Sequence, residues 1–183
     1  MEDFNKKLEK GRKQMKRIAK FEKVSTERFI KDYEDTIGPS ADTEKIYDEI
    51  IMPQRATKGS AGYDFHITCD AELKAGETIK IPTGIRAKME PGWVLKIYPR
   101  SGLGFKYSLR LNNTVGIIDS DYYYSDNEGH IFIKITNESP EGKALSLKKG
   151  DAFSQGIFLE FGIVEDDFCE TERNGGFGST SKA

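Results

Sequence analysis

Four segments carry polar groups in places where a strand would not need them. Pro99-Arg100-Ser101-Gly102-Leu103-Gly104 sets a guanidinium and a hydroxyl beside glycine amides. A phosphate is bound by such a set, a planar cationic fork with convergent N–H donors. Asn113-Thr114-Val115-Gly116-Ile117-Ile118-Asp119-Ser120-Asp121-Tyr122 ends an apolar run on carboxylates. A carboxylate beside a phosphate site can orient and deprotonate a water. Gly59-Ser60-Ala61-Gly62-Tyr63-Asp64 brings a further carboxylate, and Gln155 is a lone polar group in an apolar stretch. The tail Asn174-Gly175-Gly176-Phe177-Gly178-Ser179-Thr180 sets one aromatic ring among glycines, a composition that can close over a planar ligand and release it. Singly, the first three segments fit ordinary turns and the tail fits a disordered end. Their order along one chain gives them weight.

The elements that must position these groups follow from composition and periodicity. The chain has 183 residues, 37% hydrophobic and 32% charged, which suits one domain with an appendage. It contains no apolar run long enough to span a membrane and no secretory leader pattern. Ten Lys/Arg against five Asp/Glu give residues 1–30 a net +5, which leaves −7 of the overall −2 on the remainder. A basic arm thus precedes an acidic body, and nucleic acid is an unlikely partner for such a body. Cys69 and Cys169 lie too far apart for a zinc motif and form no disulfide framework, in keeping with a reducing, cytoplasmic setting.

From Met1 to about Asp35 the chain reads as helical and charged, with Phe4, Leu8, Met15 and Ile18 in a short heptad-like stripe. Residues 17–24 fit either a helix or a strand. Ser25 has the character of an N-cap, and Phe29, Ile30, Tyr33 and Ile37 form an amphipathic stripe ended by Gly38-Pro39-Ser40. From Tyr47 onward, alternation predicts strands at residues 78–81, 85–89, 93–98 and 131–136, and an apolar strand over 153–164. Many short strands without intervening helices predict an all-β jelly roll or distorted barrel with a short α-helical N-terminal extension. The expected division is a basic helical extension at 1–45, a β core at 46–170 and a flexible glycine-rich lid at 171–183.

Taken in order, the segments resemble the five motifs of the trimeric dUTPase family. Ala61-Gly62-Tyr63-Asp64 matches the first, Pro99-Arg100-Ser101-Gly102-Leu103 the second and Gly116-Ile117-Ile118-Asp119-Ser120-Asp121-Tyr122 the third. Gly150-Asp151 with Gln155 matches the fourth, and Gly175-Gly176-Phe177-Gly178-Ser179-Thr180 the fifth. The resemblance implies a jelly-roll homotrimer with three active sites at subunit interfaces. It implies hydrolysis of dUTP to dUMP and pyrophosphate, which lowers dUTP and supplies dUMP for thymidylate synthesis.

By that resemblance Asp119 is the general base for water attack on the α-phosphorus. Arg100, Ser101, Gly102, Gln155 and Arg173 contact phosphates, with Mg²⁺ held mainly through phosphate oxygens and water. Asp64 stands behind them as an outer or structural group. Asn113, Gly116, Ile117 and Ile118 line the uracil edge with Phe132 beside them. Tyr122 stacks under the deoxyribose and leaves no room for a 2′-hydroxyl. Phe177, Gly178 and Ser179 belong to the lid.

Three departures stand out. Ala152 replaces the usual arginine of the fourth motif, the segment 123–129 is about five residues longer than usual, and Arg173 stands one residue nearer the glycine pair. The fold is shared with dCTP deaminases, whose third motif is followed by a strand bearing a catalytic Glu. Here that strand, residues 131–136, has none. The basic arm and the longer hairpin are candidate surfaces for a regulatory protein partner.

Overall fold

A computed structural model describes residues 15–171 and 173. Residues 1–14 and the lid residues Phe177, Gly178 and Ser179 lie outside the described residues. In chain order the elements are β1 (Ala19–Lys23), α1 (Thr26–Thr36), α2 (Thr43–Asp48), β2 (Tyr63–His66), β3 (Ala71–Leu73), β4 (Thr78–Pro82) and β5 (Ile85–Met89). They continue as β6 (Trp93–Pro99), α3 (Ser101–Tyr107), β7 (Arg110–Leu111), β8 (Gly116–Ile118), a 3-10 turn (Ser120–Tyr124), β9 (Phe132–Thr136), β10 (Leu145–Leu147) and β11 (Ala152–Glu160).

The strands pair as β2-β11-β6-β8, β4-β9-β7, β1-β5 and β3-β10. All these pairings are antiparallel. This is the jelly-roll architecture that the alternation predicts. Alternate side chains of the strands fill the core: Ile85, Ala87 and Met89 from β5, Leu95 and Ile97 from β6, Ile133 and Ile135 from β9. Phe65 and Phe153 complete the centre of the core.

The open choice between helix and strand at residues 17–24 falls to the strand, and the helical reading of the residues just before them is corrected. Residues 15–18 have no regular structure, and Ala19–Lys23 forms β1, in register with β5 from Ala19↔Met89 to Lys23↔Ile85. Phe21 settles the choice. Its ring meets Tyr63, Phe65 and Phe158 at centroid distances of 5.3, 5.6 and 5.5 Å. Burying one such aromatic contributes about 1.5–3 kcal/mol, more than the local helix preference of a few charged residues.

Ser25 caps α1 as its sequence context predicts, its hydroxyl accepting from the Arg28 amide at 3.2 Å. Phe29 and Tyr33 of that helix are buried in the core.

Three further expectations change. Helices do interrupt the strands: α2 covers Thr43–Asp48, and α3 stands where a simple turn after β6 was expected. β11 stops at Glu160, because that residue already pairs with Trp93, the first residue of β6. Beyond it the Phe161 amide still bonds the Gly92 carbonyl at 3.0 Å, but the side chains of Phe161, Ile163 and Val164 are exposed.

Candidate active site

The first, second and fourth motifs become neighbours through strand pairing. In β11, Gln155 stands opposite Asp64 of β2 on one side and Tyr98 of β6 on the other. β6 then runs into Arg100, whose amide donates to the Phe153 carbonyl at 3.3 Å. The Arg100 guanidinium lies against Asp64, Nε to Oδ1 at 3.4 Å, and donates from Nη1 to the Ala152 carbonyl at 3.3 Å. Asp64 therefore orients the arginine from behind. Gln155 donates from Nε2 to the Pro99 carbonyl at 3.3 Å. Gly62 makes room for this amide: a Cβ at that position would lie 2.5 Å from Gln155 Oε1.

Ser101 and Gly102 open α3 and are exposed. The first amides of a helix have no partner within it and so remain available to an anion. Arg100, Ser101, Gly102 and Gln155 thus form one polar cluster at the end of the four-stranded sheet.

The third motif forms a second centre. β8 pairs with β6 through Gly116↔Ile97, Ile117↔Lys96 and Ile118↔Leu95, and is the last strand of its sheet. An edge strand leaves outward-facing N–H and C=O groups free of ladder bonds, a backbone template that can match the edge of a planar base. Asn113 lies exposed in the turn leading into β8, and the Ile117 side chain projects outward between buried Gly116 and Ile118.

Asp119 ends β8 at the N-cap position of the 3-10 turn, yet its side chain makes no capping bond. Its carboxylate is about half exposed and accepts from Arg173 Nη2 at 2.5 Å. The same guanidinium donates from Nε to Asp121 at 3.0 Å and lies 5.8 Å above the Tyr122 ring. Arg173, expected among the phosphate contacts, is thus placed with Asp119 and Asp121 in this chain.

Tyr122 is buried, and its hydroxyl donates to the His130 carbonyl at 2.8 Å and accepts from Asn127 Nδ2 at 2.8 Å. Phe132 is half-buried between the His130 ring, at 4.4 Å between centroids, and the Lys80 ammonium, 4.1 Å from its ring centre.

The two centres do not meet within one chain. Arg100 lies five residues along β6 from Leu95, the partner of Ile118. That is roughly 17 Å of strand between the phosphate-type cluster and the level of Ile118, the residue before Asp119.

Sequence reasoning missed the groups behind Tyr122. His130 is fully buried, and its Nδ1 is 2.6 Å from Asp32 on α1. Glu128 accepts from the amide and hydroxyl of Ser25 at 2.8 and 2.7 Å. Tyr123 donates to Glu22 at 2.6 Å, and this bond, then Lys20, lowers the Glu22 carboxyl to about 2. The longer hairpin, read as a candidate partner surface, is therefore gripped by α1 and β1. The available signal was a lone histidine within a polar insertion.

A family model described as dUTPase matches residues 48–181. The deoxyuridine 5′-triphosphate nucleotidohydrolase of Lactococcus lactis is 42% identical over 134 residues, covering 72% of this chain and 88% of that protein. The enzyme of the same name from Psychromonas ingrahamii is 42% identical over 147 residues, covering 75% and 92%. The crystal structure of dUTPase from Streptococcus mutans superposes with a TM-score of 0.60 at 33% identity, covering 79% of this chain and 98% of that one. A β8 edge ending on an uncapped aspartate, a phosphate-type cluster at the end of β6 and a family match across most of the chain agree, and the chain belongs to the dUTPase family.

Proposed function

We infer that this chain hydrolyses dUTP to dUMP and pyrophosphate at sites shared between copies of a homotrimer. The observation that carries the reading is the Asp119 carboxylate, half-exposed and unused for capping, between the backbone edge of β8 and Tyr122.

Asp119 is placed to orient a water and accept its proton as the water attacks the α-phosphorus. Arg100, Ser101, Gly102 and Gln155 meet the phosphates, and Asp64 holds the Arg100 fork in place. Arg173 suits either anion, since its planar fork matches a phosphate as well as a carboxylate pair. Moving from Asp119 and Asp121 to the triphosphate would free the base and add a cation where negative charge develops.

The β8 backbone reads the base. Cytosine presents an amino donor where uracil presents an acceptor, so donors would face each other unpaired, a mismatch that discriminates far more strongly than pocket size. Close backbone packing at C5 disfavours thymine, Tyr122 excludes a 2′-hydroxyl, and Phe177 covers the base as the lid.

The roughly 17 Å between the two centres along one chain supports assembly of each site from more than one copy. Among the described residues no group of three His, Cys, Asp or Glu could hold a metal ion. Mg²⁺ would be kept mainly by triphosphate oxygens and water, the hard oxygen ligands it prefers. Bound there, Mg²⁺ neutralises phosphate charge and helps to fix the triphosphate geometry.

No helix among the described residues is long and apolar enough to cross a membrane. Cys69 and Cys169 are free thiols, which accords with a cytoplasmic location.

The test is pyrophosphate release from dUTP, dCTP, dTTP and UTP, with Mg²⁺ or with EDTA. Release from dUTP alone, lost in EDTA, is the expected result. Asp119→Asn should lower turnover by about 10²–10⁴-fold, the worth of a positioned general base. Full turnover by that variant would remove Asp119 from the mechanism.

A further inference from the structure

His130 sits at the junction of the nucleoside hairpin and the N-terminal helix, and its bonds fix its protonation. The Gly84 amide donates to His130 Nε2 at 2.8 Å. An amide N–H can only donate, so Nε2 carries the lone pair and the ring hydrogen resides on Nδ1. Nδ1 therefore donates to Asp32 Oδ2 at 2.6 Å. Burial pushes the imidazole below its ordinary value, against the upward pull of Asp32, which keeps this neutral form in place.

Asp32 is braced in turn by Arg28 at 3.4 Å, and Arg28 donates onward to the Asp126 carbonyl at 2.9 Å. With Ser25 bound to Glu128, α1 holds the hairpin before and after its tip. The backbone of His130 completes the link: its carbonyl accepts the Tyr122 hydroxyl at 2.8 Å. Asn127 donates to both that hydroxyl and that carbonyl, at 2.8 and 3.4 Å. The family match begins at residue 48, so Asp32 and the whole of α1 precede the matched region.

We propose that Asp32 and His130 are positioning residues of the nucleoside pocket, through which the N-terminal helix fixes the Tyr122 ring that selects deoxyribose over ribose. The proposal rests on the reading of Tyr122 as the group that excludes the 2′-hydroxyl. Asp32 touches no substrate and acts through His130. The imidazole holds the backbone on which the phenol hangs, and the Tyr122 ring cannot shift without breaking that bond. Loosening the pair lets the ring recede and admits the extra hydroxyl of UTP.

The experiment compares kcat and KM for dUTP and UTP in the full-length protein and three primary variants. Asp32→Ala leaves the His130 Nδ1–H unpaired. It should lower the dUTP-over-UTP ratio of kcat/KM by about ten- to a hundred-fold, the scale of an ångström-sized misplacement in a site. Asp32→Asn keeps an acceptor oxygen for that N–H and should restore the ratio to within about threefold of the parent, as expected when one hydrogen bond is retained. A merely structural role reduces the fraction of active protein and scales both substrates alike, leaving the ratio unchanged. Arg28→Ala, on the exposed side of the clamp, serves if Asp32→Ala does not fold, and should move the ratio in the same direction by less.

Tyr122→Ala separates the two layers of the argument. If it loses selectivity while folded Asp32→Ala and Arg28→Ala keep it, the positioning role is overturned and the reading of Tyr122 stands. If Tyr122→Ala itself keeps full selectivity, that reading fails and the proposal fails with it.

Discussion

Replacing Gly62 by alanine perturbs the proposed phosphate cluster while leaving the fold nearly untouched. The new Cβ would lie 2.5 Å from Gln155 Oε1, with its next neighbours, also on Gln155, at 3.4 Å. The clash falls on the far end of a flexible side chain, so the amide swings away and the backbone stays. Gly62 is not among the glycines with positive φ, so alanine adds no backbone strain there. Loss of unfolded-chain freedom can even add about 0.4–1 kcal/mol of stability. What is lost is a donor to a charged phosphate, worth about 1.5–3 kcal/mol, or roughly a ten- to 150-fold fall in kcat/KM for dUTP.

The assay is pyrophosphate release beside a thermal melt. Activity should fall while Tm holds or rises slightly. Gln155→Ala should cost about the same, and the double variant no more than either single one, because the clash needs the amide. Full activity in Gly62→Ala would refute the role of Gln155. An additive double variant would place the effect of Gly62 elsewhere.

Other outcomes follow from the hairpin. Gly129 has φ +70°, and a Cβ there would sit 2.7 Å from Tyr123 Cα and 2.8 Å from the Tyr122 carbonyl, so Gly129→Ala should destabilise by about 1–3 kcal/mol or more, read by denaturant melts. The clamp also titrates. Burial holds the His130 pKa below 6.5, so the unfolded chain binds its proton first as pH falls. Stability is therefore complete above pH 6.5 and declines below it, by at most about 1.4 kcal/mol per pH unit for one proton. Asp32, Arg28 and Glu128 face this ring. The lowered carboxyls of Asp32 and Glu128 add their own loss only below their ordinary values of 3.8 and 4.5. Melts of His130→Gln from pH 7.5 to 5 should lose the His130 share of the slope and keep that of His66, which burial also lowers, and a parent profile flat over that range would contradict the assignment.

Local pattern made much of the β core legible. The alternating runs at 78–81, 85–89 and 131–136 each fell on a strand, and their alternate apolar side chains went into the core. The motif segments were legible because chemistry constrains residue type as well as hydropathy. β1 was ambiguous because its charges suit either state, and the deciding partners, Tyr63 and Phe158, lie far along the chain. The end of β11 was hidden because a strand stops where its neighbour stops, which apolar content does not encode. The clamp behind Tyr122 joins Ser25 to Glu128 and Asp32 to His130 across 103 and 98 residues. No local spacing rule reaches that far.

The separation of the two polar centres along β6 has a genetic consequence. On the proposed sharing of each site between copies, catalytic competence would belong to a seam between chains. A chain lacking its aspartate and a chain lacking its glutamine would each be impaired at every site alone. Mixed in one trimer, they would complement each other wherever the intact halves meet, at about a quarter of the seams for equal random mixing. The same arithmetic makes a copy that lacks one of the two groups spoil one site only, so activity in a mixed trimer would fall in proportion to the defective copies.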